Sequence, residues 1–184
     1  MINKLVLGNL NENCYIISNN QNNCIIIDAG DGYDEIINFI ESKNLNVLGV
    51  LLTHGHFDHC SACKKLQDKG FKIYIHKLDA DKLYGEGNLS SLTNASFEKF
   101  KADVEIEEGE LNIGEFKFNV IHTPGHSEGS VSYIYNNNVF CGDTLFENGF
   151  GRYDFYDGSY MKIVRSIKKL KSYKNLGYNF FYGH

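Results

Sequence analysis

Apolar residues along this chain fall into short runs, and their spacing switches between the periods of strand and helix. Runs at residues 4–8, 14–18 and 24–28, separated by asparagine-rich turns, predict three strands. Cys24-Ile25-Ile26-Ile27-Asp28 shows no polar alternation, as expected of a strand buried on both faces. Ile36, Ile37 and Ile40 fall at helical spacing and predict a helix over 34–42. Residues 47–53 predict another buried strand, which runs straight into a histidine-rich loop. A helix over 60–69 ended by Gly70, a strand over 72–76 and a small helix from Leu78 follow. The polar Gly/Asn/Ser-rich stretch 85–96 predicts a long surface loop. The second half repeats the style of the first, with strands over 116–121, 130–135 and 138–141. A helix over 159–171 then carries Ile163, Val164, Ile167 and Leu170 on one stripe, and a last strand spans 179–182. Strands followed by helix in each half predict an α/β fold of two packed sheets with helices outside, and no linker divides it.

Composition narrows the class. A chain of 184 residues suits one domain that can build a core without disulfide staples. With 42% hydrophobic and 22% charged residues, disorder, collagen and coiled coil are excluded. A net charge of −5 gives no electrostatic footprint for nucleic acid or an anionic membrane, so neither is expected as a partner. No run approaches the ~18 to 20 apolar residues of a membrane helix, and the N-terminus lacks a signal-peptide core. Five scattered cysteines do not make a secreted disulfide framework, which points to a cytoplasmic protein.

The informative stretch is Thr53-His54-Gly55-His56-Phe57-Asp58-His59, directly after a buried strand. Imidazole nitrogens and carboxylate oxygens are what Zn²⁺ and Fe²⁺ take as ligands. Four such residues beside an apolar strand would otherwise lose hydration with no return. Three more fragments follow strands in the same way: Thr123-Pro124-Gly125-His126, Cys141-Gly142-Asp143-Thr144 and Tyr182-Gly183-His184. Strand ends on one edge of a layered fold can converge, so seven ligands are available for two metals.

The order of these motifs, with Asn13-Cys14-Tyr15 and Asp28-Ala29-Gly30, resembles the metallo-β-lactamase superfamily, and most of all its glyoxalase II-type hydrolases. The resemblance covers nearly the whole chain. It implies a four-layer αβ/βα sandwich of two mixed sheets, spanning 1–184 as a single domain, without the C-terminal helical substrate-binding domain of full-length glyoxalase II. By position, His54, His56 and His126 would bind one metal. Asp58, His59 and His184 would bind a second, with Asp143 bridging. The expected cofactor is two divalent ions, zinc first, with iron or manganese as alternatives. Asp143 stands where lactam-hydrolysing relatives have cysteine, which favours thioester hydrolysis. Relatives continue past the final Gly-His, so a terminal His184 is expected either to weaken the second metal or to add its own α-carboxylate.

Two ions roughly 3.5–4 Å apart can lower the pKa of a shared water toward ~7, and the resulting hydroxide attacks a carbonyl. The expected reaction is therefore hydrolysis of a small-molecule thioester (hydroxyacylglutathione-like) or related ester, with Asp58 holding the nucleophile's proton. Arg152 lies where relatives place a basic residue near the substrate carboxylate, and pairing with Asp154 is its alternative role. A broad thioesterase is preferred over a glutathione-specific one. Residues 149–155 also resemble a segment of persulfide dioxygenases, in which His54, His126 and Asp143 would hold a single iron. A catalytically impaired metal-binding member is the third alternative. His76 is expected to cap or pack and His122 to support its loop. Cys60, Cys63 and Cys141 are read as buried packing residues.

Overall fold

Strands β1 (Ile2–Leu7), β2 (Glu12–Ser18), β3 (Asn23–Ile27), β4 (Asn46–Leu51), β5 (Ile73–His76) and β6 (Val104–Ile106) form one sheet in chain order. The second sheet runs β11-β10-β9-β8-β7, built from β7 (Gly109–Ile113), β8 (Phe116–His122), β9 (Val131–Tyr135), β10 (Asn138–Phe140) and β11 (Asn179–Phe181). Both sheets are mixed. The first is antiparallel from β1 to β3 and parallel from β3 to β6, and the second is antiparallel except for β10 with β11. The helices are α1 (Tyr33–Ser42), α2 (Phe57–Cys60), α3 (Cys63–Asp68) and α4 (Tyr160–Asn175). The structure, a computed structural model, describes residues 1–93 and 95–184.

Alternation along the strands sorts the side chains into three cores. Cys14 and Ile16 of β2, with Cys24 and Ile26 of β3, face outward and pack with Ile36 and Ile40 of α1 and Leu66 of α3. Their neighbours Tyr15, Ile17, Ile25 and Ile27 face inward and meet Phe116, Phe118, Val120, Val131 and Tyr133 of the second sheet. Behind that sheet, Ile121, Ile134 and Val139 pack with Leu170 of α4. The result is the expected four-layer αβ/βα sandwich of two mixed sheets. Each large apolar side chain buried between the sheets contributes roughly 1.5–3 kcal/mol, so this middle layer is the main adhesive.

Several elements depart from the pattern read in the sequence. The helix expected over 60–69 is two pieces, because the Ala62 N–H leaves the helical path to donate to the carbonyls of Ala29 and Gly30. That break lets α2 begin at Phe57 and brings Asp58 and His59 into a helical turn. Strands β6 and β7 have no counterpart in the sequence pattern; both are short, and pairing with β5 and β8 rather than local propensity defines them. The small helix near Leu78 is a 3-10 turn at Ala80–Leu83. The stretch 85–96 holds another at Ser90–Leu92, and its residue 94 lies outside the described residues. Helix α4 runs on to Asn175 and buries Ile163, Ser166 and Leu170, while Val164 is 42% exposed and sits off the stripe.

The second sheet's helix is seated on the loop that carries His126. The Ser159 hydroxyl caps α4 by accepting from the Lys162 N–H, and the Ser159 N–H donates to the Gly125 carbonyl at 2.8 Å. Ser166 donates to the Pro124 carbonyl at 2.7 Å. Gly125 has φ +133°, and a Cβ there would lie 2.2 Å from the Ile163 nitrogen. Gly125→Ala should therefore lower stability by roughly 2–4 kcal/mol in urea unfolding. Wild-type stability in that variant would show that the loop and helix are not in this contact.

Candidate metal centre

Strand ends deliver the polar residues to one edge of the sandwich. β4 ends at Leu51 and leads into 53–59, β8 leads to His126, β10 to Asp143 and β11 to His184. The two sheets are laced together beneath this edge. The Val131 N–H donates to the Thr53 carbonyl at 2.8 Å, and the Tyr133 hydroxyl donates to the Leu52 carbonyl at 2.7 Å. Asn13 and Tyr15 donate to the Tyr182 carbonyl at 3.0 and 2.7 Å, and the Asn13 N–H donates to the Gly183 carbonyl. Gly183 itself lies so near Asp143 that a Cβ would fall 2.0 Å from its Oδ1.

All seven candidate ligands read from the sequence meet here. His54, His56 and His126 form one group, His54, His59 and Asp143 a second, and Asp58, His59 and His184 a third. The Asp143 carboxylate joins the ends of the cluster, with His59 Nε2 at 3.3 Å, His126 Nε2 at 3.6 Å and His184 Nε2 at 3.7 Å. Asp58 lies 3.4 Å from His184 Nε2 and 3.8 Å from His59 Nε2.

Four of the five imidazoles follow one orientation rule. The Nδ1–H groups of His126 and His184 donate to the carbonyls of Arg152 and Leu10 at 2.7 and 3.1 Å. His59 Nδ1 donates to the Asp28 carboxylate at 3.0 Å. The Thr53 hydroxyl gives its own proton to Asp28 at 2.7 Å and accepts from His54 Nδ1 at 3.1 Å. Each contact holds a proton on, or orients, the outer nitrogen and turns Nε2 into the cluster. His56 is reversed and presents Nδ1, 2.9 Å from His126 Nε2.

These residues fit a cation better than they fit one another. His126 Nε2 lies within 2.9 Å of His56 Nδ1 and 3.2 Å of His54 Nε2, so one shared proton still leaves lone pairs facing each other. His56 Nε2, His59 Nε2 and Asp143 Oδ1 are buried without a hydrogen-bond partner. Burial and the neighbouring imidazoles push His54 well below its ordinary pKa, and burial with His126 pushes His56 down to about 3. Burial opposes the charging of His59, yet Asp143, Asp28 and Asp58 hold it protonated well above its usual range. Burial likewise opposes ionisation of Asp143, but His59 facing it holds the carboxyl well below the usual range. A nitrogen–oxygen donor set of this kind suits zinc or iron.

A second buried charge, absent from the sequence reading, clamps the loops. Asp79 is fully buried and accepts from the Gly55 N–H at 2.9 Å, the Gly129 N–H at 2.7 Å and the Ser127 hydroxyl at 2.6 Å. Lys82 bridges Asp79 and Asp157 at 3.0 and 2.7 Å, and Asp157 accepts from the Glu128 N–H. Nothing in its spacing marks Asp79, since its partners come from other segments. The Arg152 guanidinium makes a two-pronged pair with Asp154 at 2.9 Å and lies over the Phe155 ring at 4.5 Å. His76 and His122 stack at 4.6 Å, and His122 Nε2 donates to the Glu128 carbonyl. Cys60, Cys63 and Cys141 are buried free thiols, all pushed up in pKa by burial.

Clustered imidazoles and carboxylates on the strand-end edge of a four-layer sandwich define a class of metal-binding hydrolases. The chain belongs to the metallo-beta-lactamase superfamily, whose profile matches residues 7–176. It is 35% identical over 166 residues to hydroxyacylglutathione hydrolase GloC of Haemophilus influenzae, covering 85% of this chain and 77% of the relative. Among solved structures, BLEG-1 B3 metallo-beta-lactamase superposes with a TM-score of 0.92 at 34% identity, covering 100% of this chain and 91% of that one. TTHA1623 in a di-iron-bound form superposes with a TM-score of 0.86 at 30% identity, covering 99% and 91%.

Asp28→Asn turns the oxygen that accepts from His59 Nδ1 and the Thr53 hydroxyl into an N–H donor, and it should weaken metal binding about 10- to 100-fold. Competition with a chromophoric chelator measures this, and unchanged affinity would strip Asp28 of that role. In the metal-free protein His59 keeps its proton above its ordinary 6.5, so an entering cation must displace it. Metal affinity should therefore rise with pH, with net proton release near neutrality. Titration calorimetry in two buffers of different ionisation enthalpy reads that release; identical heats would contradict it.

Proposed function

We propose that this chain is a dinuclear metal-dependent hydrolase that cleaves a small-molecule thioester of hydroxyacylglutathione type. The observation that carries the reading is the meeting of seven ligands in two sets, with Asp143 between them. His54, His56 and His126 would hold one ion and Asp58, His59 and His184 the other, with Asp143 shared. Zinc is the expected metal, and the di-iron relative makes iron the first alternative, ahead of manganese. Bound there, a pair of divalent ions supplies Lewis acidity and lowers the pKa of water toward neutrality.

The chain's own residues do the rest. The remote-nitrogen contacts of His54, His59, His126 and His184 hold the cluster rigid, so little reorganisation accompanies reaction. The Asp58 carboxylate is half-buried beside the cluster, and His59 and His184 keep it ionised against the opposing effect of burial. It takes the proton of the attacking water. The carbon–sulfur bond then breaks, the thiolate leaves, and the proton held on Asp58 passes to it. A thiolate is a far better leaving group than an amine, so no separate general acid is required. The hydrolase activity named for the Haemophilus relative supports this choice.

Metal analysis and a thioester assay test the reading together. Protein purified without added metal should carry about two ions per chain and hydrolyse S-lactoylglutathione. Chelator should abolish turnover and added zinc restore it. Asp58→Asn should lower kcat by about 10² to 10⁴, with metal content measured alongside. One iron per chain and no hydrolysis would replace this reading with the mononuclear dioxygenase, whose His54, His126 and Asp143 also lie together. Two metals with turnover of a β-lactam and of no thioester would move it to lactam hydrolysis.

A further inference from the structure

The cleft above the metal cluster has a chemical character of its own. It is a cavity of about 460 Å³ whose floor is His56, Asp58, His126 and Asp143 and whose walls are chiefly Leu10, Phe57, Leu89, Leu92, Phe146 and Phe155. Size and lining match a small-molecule site, in which apolar walls enclose a few convergent polar groups. Two of these side chains are conspicuously open, with Leu10 47% and Leu92 70% exposed. Both line the same cavity as Phe57, Leu89, Phe146 and Phe155, and they carry its apolar lining out to the surface.

The wall is held in place. Leu89 has φ +66°, a left-handed conformation that a leucine adopts only when its surroundings impose it. Buried Asn88 imposes it. The Asn88 amide donates to the carbonyls of Lys82 and Gly85, its side-chain oxygen accepts from the Ser90 N–H, and its own carbonyl accepts from the Phe57 N–H at 2.8 Å. The turn bearing Leu89 and Leu92 is thus pinned to the first residue of α2, one position before Asp58.

Charge around the cleft points the same way. Among the described residues lining it, the one lysine or arginine is Arg152, whose guanidinium is already paired with Asp154 and stacked on Phe155. The adjoining hollow shares Leu10, Phe57, Asp58 and Thr93 and adds the carboxylates of Glu12 and Asp31. Among the described residues lining either hollow no lysine or arginine is left without a carboxylate partner for an ionised acyl tail, and burying an unpaired charge is costly.

We infer that this site selects substrates whose group lying against the cleft wall is an uncharged, apolar chain, with Leu89 and Leu92 as specificity-determining residues. The inference rests on the hydrolase reading of the metal centre and concerns the acyl half of the thioester or ester alone: an acyl group ending in an apolar chain is favoured over one ending in an ionised group.

Hexanoate and adipate, product-like acids of equal length, differ in whether the far end is a methyl group or a second carboxylate. Their binding to the zinc-loaded protein, read by calorimetry, requires no turnover. Each buried methylene is worth about fourfold in affinity, so hexanoate should bind at least about tenfold tighter than adipate. Leu92→Ser changes a largely exposed side chain, and Leu89→Gly relieves the backbone at that position, so both variants should fold and keep their metal. Together they should bring the ratio close to one. Adipate binding as tightly as hexanoate, or a ratio untouched by the two substitutions, overturns the inference. If hexanoate is preferred and the preference is lost in the variants while no thioester is cleaved, the wall stands and the thioesterase reading falls. If thioesters are cleaved without that preference, the reverse holds.

Discussion

The contact on which the centre most depends is made by a carboxylate outside the proposed ligand set. Asp28, buried at the end of β3, accepts from the Thr53 N–H, the Thr53 hydroxyl and His59 Nδ1, at 2.7, 2.7 and 3.0 Å. One buried charge thus sets where β4 stops, which way His59 faces and, through the Thr53 hydroxyl, which nitrogen His54 presents. A buried carboxylate needs these donors as much as they need it. Satisfying it and orienting the cluster are one event.

Asp79 does for the loops what Asp28 does for the rings. Its oxygens gather the backbone of the first histidine loop, the backbone and hydroxyl of the loop after His126, and Lys82. Buried ion pairs add little net stability, because desolvation offsets the attraction. What this one does is tie segments from both sheets to common atoms. Loops that would otherwise be the mobile part of the fold are held to one another through a single buried carboxylate.

Much of this was legible in the residues because the signals were local. Strands buried on both faces announce themselves as unbroken aliphatic runs, and β3 and β4 lie where Cys24–Asp28 and Val47–Thr53 placed them. The seven ligands were visible because each follows a strand, with glycine or proline letting the chain turn. Non-local features stayed hidden. Short β6 and β7 exist only through their partners. Asp79 looks like any polar residue after a strand until the loops 50 positions away are folded against it. Leu89 and Leu92 were lost in a stretch whose composition reads as solvent-exposed loop, since Asn88 rather than apolar periodicity fixes them. Val164 failed for a simpler reason: a stripe one residue too wide for the face α4 presents.

The lacing of Tyr182 and Gly183 to Asn13 and Tyr15 has a kinetic consequence. The contacts that complete the cluster join opposite ends of the sequence; the His184–Leu10 bond spans 174 positions and the Tyr15–Tyr182 bond 167. Closing such loops costs chain entropy before the contacts repay it, and folds rich in long-range pairings form slowly. Helices and hairpins can be in place while the second set of ligands is still scattered. The groups that cluster at the sheet edge are therefore brought together only when both sheets have docked.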